Sequence, residues 1–152
     1  MGTRKAIASL ALSAAALVGI VLHEDYRDTA YIPAKGDVPT IGFGTTAGVK
    51  MGDRITPPAA LQRALTDIQK FEGALHQCVH VPLHQYEYDA YVSFAYNVGA
   101  GAFCASTLVK KLNASDYPGA CAELLRWTRA GGRELPGLVA RRRDEYRQCM
   151  GQ

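Results

Sequence analysis

The chain lacks the residue patterns that mark several common classes of protein. Its four cysteines form no C-x-x-C pair and its four histidines have no ligand-like spacing, which argues against a zinc ribbon, a redox motif or another metal site. The net charge is only +3, far from the dense basic stripe of a nucleic-acid-binding protein. Repeats and linkers are also missing from the 152 residues, which suffice for one domain with a buried core. We therefore expect no cofactor, metal or nucleic-acid partner, and the mild positive charge suits an anionic polymer.

The even number of cysteines, at positions 78, 104, 121 and 149, predicts two disulfide bonds. Disulfide bonds persist in oxidising compartments, so we expect the chain to be exported. Four cysteines allow three pairings. Cys121 lies early in one predicted helix and Cys149 lies late in the last one, an arrangement that suits antiparallel neighbours. This arrangement favours the pairs Cys121–Cys149 and Cys78–Cys104.

The N-terminus offers a route for export. Arg4 and Lys5 precede an uncharged run over residues 6–22, as the charged and apolar regions of an export signal do. At about 1.5 Å per residue, a helix over this run would just reach across a bilayer core. We favour an uncleaved anchor, weak because the run is rich in small residues, with its N-terminus kept cytoplasmic by the positive charges. A soluble first helix and a signal peptide cleaved after Ala16 are the alternatives.

Capping and turn residues predict the organisation of the rest. Ser13 is placed to cap a helix over residues 14–23, and prolines and glycines between residues 31 and 55 separate short β-prone pieces, of which 38–43 is the clearest. Thr56 followed by two prolines begins a long helix, and further helices are expected from Pro82, Ser106, Pro118 and Pro136. The pattern predicts a mainly α-helical α+β fold. An apolar segment 1–23 leads into one domain, 24–152, with a β lobe over about 25–55 and a helical lobe over about 56–152.

One carboxyl group follows the apolar run almost directly. Glu24 lies two residues after Leu22 and ahead of a glycine-containing β turn at residues 40–44. Hydrolysis of a glycosidic bond requires a proton donor for the leaving oxygen and a second, ionised group that stabilises positive charge or activates water. The position of Glu24, at a helix end beside a turn, suits the proton donor at the edge of a cleft.

The second ionised group has three candidates close to Glu24 in the sequence. Among Asp25, Asp28 and Asp37, only Asp37 lies in the Gly-Pro turn region that can bring it across a cleft from Glu24, although it also suits a simple turn former. Thr40, three residues later, is a candidate to hold a water molecule with its hydroxyl group. Together these residues predict a glycosidase site.

The ordered motifs of the chain resemble those of the phage-type lysozyme family, the endolysins whose catalytic set is Glu, Asp or Cys, and Thr. The resemblance implies a lysozyme-like fold with a small β-hairpin lobe, and a monomeric muramidase that cleaves the β-1,4 bond between N-acetylmuramic acid and N-acetylglucosamine of peptidoglycan for host cell lysis. It implies Glu24 as general acid and Thr40 as the family threonine. It also suggests four substrate-binding residues. The motifs that carry it are Glu24, Tyr31, residues 40–44, 96–99, 106–108, Trp127, 137–138 and 141–142, and the suggested sugar contacts are Tyr31, Asn97, Thr107 and Arg141.

The chain departs from the family pattern at the second catalytic residue, the Asp or Cys between the glutamate and the threonine. In the family the acidic residue lies about nine residues after the glutamate and six before the threonine. Here these positions are Pro33 and Ala34, so Asp37 is assigned by its chemistry rather than by the resemblance.

The weak N-terminal span is similar to that of the signal-arrest-release subgroup, in which an uncleaved anchor holds the enzyme inactive until it leaves the inner membrane for the periplasm. Two other functions stay open. A chitinase-like glycosidase would keep Glu24, and a non-catalytic wall-binding module would explain the displaced acid.

Overall fold

The computed structural model describes residues 2–152. The fold is mainly α-helical with two small antiparallel sheets, which confirms the predicted α+β class. The chain forms two compact units, one over residues 17–70 and the other from the N-terminal segment through Ala16 together with residues 71–152. In chain order the elements are α1 (Ala14–Leu22), β1 (Arg27–Tyr31), β2 (Thr40–Gly42), α2 (Pro57–Cys78), α3 (Gln85–Val98), α4 (Ala100–Cys104), α5 (Thr107–Asn113), α6 (Tyr117–Glu123), β3 (Arg129–Ala130), β4 (Arg133–Glu134) and α7 (Pro136–Cys149).

Local capping chemistry sets most of the helix starts. The Ser13 hydroxyl accepts a hydrogen bond from the Ala16 N–H at 3.1 Å, and the Ser106 hydroxyl accepts one from the Val109 N–H at 3.2 Å. Proline occupies the first position of α2 and of α7, where its missing N–H removes no helical bond. One predicted start differs. Helix α3 begins at Gln85, three residues after Pro82.

The N-terminal apolar run is not one continuous helix, contrary to a single span over residues 6–22. Only Ala14–Leu22 is α-helical, and Ile7–Ser9 forms a short 3₁₀ turn. The backbone N–H groups of Leu12 and Ser13 donate hydrogen bonds to side chains of the same unit, to Glu72 at 2.6 Å and to Asp89 at 3.0 Å. These N–H groups are therefore not available for the hydrogen bonds of a longer helix. In the part of the chain that the structure describes, no helix is long and apolar enough to cross a membrane.

Unit 17–70 is built around the β1–β2 hairpin. Arg27 pairs with Gly42 and Tyr31 with Thr40 in an antiparallel hairpin whose register shifts between these two pairs, and the other edge of β1 bonds to residues 53–55. A small apolar core of Ala30, Ile41 and Val49, with Ile55 packed against it, lies beneath the hairpin. Strand β1 lies within the predicted β lobe but ahead of its β-prone stretch. Only Ala30 of its five residues is buried, so the strand has no alternation of apolar and polar residues that could predict it from the sequence.

Gly42 shows how tightly β2 approaches α2 in this unit. Its φ is +65°, a left-handed conformation that side chains rarely adopt. An added Cβ would lie 2.9 Å from the Cβ of Ala60 on α2. Both the backbone conformation and the available space therefore require glycine at the end of β2.

The second unit is a helical assembly whose core is centred on α3. Tyr88, Tyr91, Val92 and Phe94 of this helix are completely buried. Two disulfide bonds join its helices, Cys78–Cys104 and Cys121–Cys149, each with a Cα–Cα distance of 5.7 Å. The predicted pairing is confirmed.

A second hairpin, β3–β4, was not predicted from the sequence. It joins two strands of two residues each through Gly131 and Gly132, whose φ values of +57° and +76° match a primed hairpin turn. The Gly-Gly pair is itself a hairpin signal, but the short polar strands beside it give no alternation of apolar and polar residues.

Candidate active site

The backbone at Glu24 is fixed by the last turn of α1. The N–H groups of His23 and Glu24 bond to the carbonyl oxygens of Ile20 and Val21 at 3.1 and 3.2 Å, which closes the helix with tighter 3₁₀-type bonds. The residue is partly exposed. Strand β1 then begins three residues later, at Arg27.

Three other predicted site residues lie on the β1–β2 hairpin, Tyr31 and Thr40 on its strands and Asp37 in its connecting loop. Tyr31 and Thr40 are directly opposite each other, so their side chains project from the same face of the sheet. Thr40 is only 6% exposed and its hydroxyl group donates a hydrogen bond to the Val38 carbonyl oxygen at 3.1 Å. Because this bond uses the hydroxyl hydrogen, Thr40 Oγ1 is left as an acceptor.

Asp37 lies in the loop that connects β1 to β2. Its N–H bonds to the Ala34 carbonyl oxygen at 3.0 Å, which holds the turn, and its side chain is exposed. The rival carboxylates differ in setting. Asp28 lies on β1, where its carboxylate accepts from the hydroxyl of Thr29 at 3.1 Å and faces Arg54 at 3.5 Å. Asp25 is exposed, one residue after Glu24.

In the helical unit, Asn97 is oriented by a buried arginine. Arg142 Nη2 donates to Asn97 Oδ1 at 2.8 Å. Since arginine has only donors, the atom facing it must be the amide oxygen of Asn97. The amide NH₂ group is then the part of this exposed side chain that can bind a ligand acceptor.

Arg141, predicted to contact substrate or the β lobe, is buried in a charged cluster with Glu145. Arg141 is 4% exposed, and its Nε donates to Glu145 Oε1 at 3.2 Å. Ser93 donates to the same oxygen at 2.7 Å, and Arg142 Nη2 approaches it at 3.3 Å. This burial favours a structural role for Arg141, because a side chain held inside the unit is not presented to a polymer.

The sequence analysis missed this Arg141–Arg142–Glu145 cluster. Burial raises the pKa of Glu145 and lowers that of Arg142, while the attraction between the opposite charges opposes both effects. The spacings of three and four residues on α7 were a signal that could have revealed it. The spacing alone does not show that the pairs are buried.

The remaining predicted residue, Thr107, is the exposed first residue of α5, directly after the capping Ser106.

A metal site would need several histidine, cysteine, aspartate or glutamate side chains close together. Over residues 2–152, no group of three or more potential ligands could hold a metal ion.

Comparison with known proteins assigns the family. Residues 22–145 match the phage lysozyme family. The chain is 41% identical over 141 residues to the SAR-endolysin of Pseudomonas phage phiKMV, covering 90% of this chain and 87% of that protein. The endolysin of Escherichia coli O157:H7 phage FAHEc1 has a TM-score of 0.82 at 35% identity, covering 93% of this chain and 94% of that one. A P22 lysozyme mutant also has a TM-score of 0.82, at 32% identity, with coverages of 93% and 99%.

The mainly helical α+β fold with a glutamate-bearing hairpin unit is therefore that of a lysozyme-type glycoside hydrolase. The chain belongs to the phage lysozyme family. It is an endolysin, a muramidase that hydrolyses peptidoglycan for host lysis, and the predicted fold, enzyme class and function are confirmed.

Proposed function

We propose that this muramidase uses Glu24 as general acid, Asp37 as the ionised partner and Thr40 as the residue that holds water. The observation that carries the proposal is their grouping within unit 17–70. Tyr31, Asp37 and Thr40 belong to one hairpin and its connecting loop, and this hairpin begins three residues after Glu24. Helix α1 and the β1–β2 register thus hold all four on neighbouring segments.

The chemistry follows from the donor and acceptor roles. The Glu24 carboxyl group gives its proton to the leaving glycosidic oxygen as the bond to the anomeric carbon breaks. The Asp37 carboxylate stabilises the positive charge that develops on the sugar, or takes a proton from the attacking water. Thr40 Oγ1, left as an acceptor by its bond to Val38, binds a hydrogen of that water.

Asp37→Asn is expected to lower the rate of peptidoglycan hydrolysis by about 100-fold, the usual scale of such a contribution. The exposed side chain predicts an unchanged melting temperature. Asp25→Asn and Asp28→Asn, which remove the same charge nearby, are the matched controls and should retain nearly full activity. Initial rates on purified peptidoglycan and thermal unfolding of the three variants check this. A sensitive Asp25 or Asp28 would contradict the assignment, and lost stability at Asp37 would indicate a turn former.

For substrate binding, we propose that Tyr31, Thr107 and the amide NH₂ of Asn97 contact the sugars. The bond from Arg142 favours Asn97 as a donor to a sugar oxygen. Arg142 would then act through Asn97, as a positioning residue.

We also propose that the enzyme is exported uncleaved, is tethered to the inner membrane by its N-terminal run, and later leaves the membrane for the periplasm. Arg4, Lys5 and the uncharged run support this, as does the name SAR-endolysin of the phiKMV relative. Only His23 separates Leu22 from Glu24. A membrane-inserted run would therefore hold the acid at the headgroup plane, away from a working site.

The contacts of the N-terminal segment support a stable state outside the membrane. Arg4 forms an ion pair with the buried Glu87 at 2.8 Å and lies 3.5 Å above the ring of Tyr117. Lys5 and Leu83 exchange two backbone hydrogen bonds, at 2.8 and 2.9 Å. A segment with these partners has a folded alternative to the bilayer.

Replacing Ala14, Ala15 and Gly19 together by Leu is expected to keep the enzyme in membranes and to delay lysis. Each leucine favours insertion by roughly 0.3–0.6 kcal/mol. We expect the fold to be retained, because both alanines are exposed and a Cβ on Gly19 would meet no atom within 4 Å beyond the backbone of its own helix. Membrane fractionation during expression measures the shift.

The matched control replaces the same three residues by serine, which should increase the soluble fraction. N-terminal sequencing of soluble periplasmic protein completes the test. An intact N-terminus in both membrane and soluble fractions is expected, and a chain that starts near Leu17 would establish a cleaved signal peptide.

A further inference from the structure

A buried threonine of unit 17–70 lies outside the proposed catalytic and sugar-binding residues but is bonded to the strand that carries Thr40. Thr45 is only 2% exposed. Its carbonyl oxygen accepts a hydrogen bond from the Ile41 N–H at 2.9 Å, and its own N–H donates to the Ile41 carbonyl oxygen at 3.0 Å. Because Thr45 is enclosed, it does not touch a polymer, and any effect on the reaction passes through its neighbours.

The side chain of Thr45 is fastened to helix α2. Its hydroxyl group donates to Asp67 Oδ2 at 2.6 Å. Hydrogen bonds to a carboxylate are shorter and about twice as strong as those between neutral groups. The other carboxylate oxygen, Asp67 Oδ1, lies 4.0 Å from Lys70 Nζ, and the Asp67 side chain is 18% exposed. Asp67 thus offers a strong anchor for Thr45 on a regular helix.

The turn between Ile41 and Thr45 needs such an anchor. Gly42 and Gly44 within it have φ values of +65° and +94°. Glycine adopts positive and negative φ about equally readily, so the turn gains little rigidity from its own residues. The bonds of Thr45 to Ile41 and to Asp67 supply that rigidity. Since Ile41 directly follows Thr40, they also fix the backbone on the C-terminal side of Thr40.

We propose that Asp67 is a positioning residue for the muramidase reaction, which acts through Thr45 and Ile41 to hold the hydroxyl oxygen of Thr40 in place for water. The proposal rests on the proposed water-binding role of Thr40. The Thr40 hydroxyl group is tied to the Val38 carbonyl oxygen at 3.1 Å, so a shift of the strand is not corrected by rotation of this side chain. A misplacement of about 1 Å caused by a substitution outside the site can cost on the order of 100-fold in rate.

Thr45→Val removes the hydroxyl group and keeps the shape of the side chain. It is expected to lower kcat by about tenfold, the scale of a displacement below 1 Å, and to leave KM near the wild-type value, because it disturbs the water and not the sugar contacts. Thr45→Ser, which keeps the hydroxyl group, should restore kcat. Initial rates over a range of concentrations of soluble peptidoglycan fragments, taken well below the melting temperature of each variant, give both constants.

A neighbouring bond provides the matched control. Arg63 Nη2 on α2 donates to the Ala47 carbonyl oxygen at 2.6 Å, which also joins the helix to this loop but lies two residues beyond Thr45. Arg63→Gln should leave kcat within about twofold of wild type. A loss as large as that of Thr45→Val would show that any bond between α2 and the loop matters, and would overturn the specific role of Asp67.

A double-mutant cycle with Thr40 decides whether the effect passes through this residue. Thr45→Val should lower kcat in the wild type and have no further effect in Thr40→Val, where there is no hydroxyl group to position. A purely structural role would give the same loss in both backgrounds. Asp67→Asn, which keeps an acceptor oxygen without the charge, is the milder change of the same bond and should show the same dependence on Thr40.

The outcomes separate this inference from the water-binding role. Equal losses in both backgrounds, or wild-type kcat in both Thr45→Val and Asp67→Asn, would overturn the positioning role and leave the role of Thr40 intact. Wild-type activity of Thr40→Val would contradict the water-binding role and the positioning role together.

Discussion

Glu24→Gln is expected to lower the rate of peptidoglycan hydrolysis by about 100-fold or more, because the amide keeps the size of the side chain but has no proton to give to the leaving oxygen. The fold should be unaffected. Glu24 is partly exposed, and its helix end is closed by backbone bonds to Ile20 and Val21. Initial rates with purified peptidoglycan, together with thermal unfolding, measure both quantities.

Asp25→Asn is the control for the Glu24 prediction, since it removes one negative charge from the adjacent exposed position. It should leave the rate within about twofold of wild type, as surface substitutions usually do. If Glu24→Gln retained more than roughly a tenth of the wild-type rate, the general acid would lie elsewhere in the chain.

Glu145→Gln is expected to have the largest effect on stability, a loss of about 3–5 kcal/mol in the free energy of unfolding. Glu145 is 2% exposed and faces two buried arginines, Arg141 and Arg142. The uncharged amide would leave both buried guanidinium groups without their counterion, which costs far more than the intact pair contributes. Urea unfolding of the purified variant gives the change directly.

The neighbouring ion pair provides the comparison for this prediction. Asp144 pairs with Arg147 at the surface, where the two side chains are 51% and 62% exposed. Asp144→Asn should therefore cost less than about 1 kcal/mol. Equal losses for the two variants would show that burial does not distinguish the two pairs.

Features of the fold with a local cause could be predicted from the sequence. Serine caps and first-turn prolines define the starts of α1, α2, α5 and α7, since each acts on backbone groups only a few residues away. The predicted disulfide pairing is observed, but the argument from opposite helix ends does not hold, because Cys121 and Cys149 both lie toward the C-terminal ends of α6 and α7. The position of Glu24, directly after an apolar helix and ahead of a hairpin, could also be predicted from the sequence.

Features set by distant residues could not be predicted. The sequence predicts that Ser13 caps α1, but it does not show that Glu72 and Asp89, which lie far along the chain, bind the backbone of Leu12 and Ser13 ahead of the helix. The charged run at residues 141–143 reads as a solvated helix face. The structure instead separates a buried Arg141 from an exposed Arg143, because only the packing around each position decides which charge is enclosed.

Identification of the new chain ends tests the account most directly. Purified peptidoglycan is digested, the products are reduced with borohydride, and the sugar at each new end is identified by mass spectrometry. We expect reduced N-acetylmuramic acid from the wild-type enzyme, none from Glu24→Gln, and no sugar release from chitin. Ends of N-acetylglucosamine, release of sugar from chitin, or binding to sacculi without any new reducing end would contradict a muramidase that acts through Glu24.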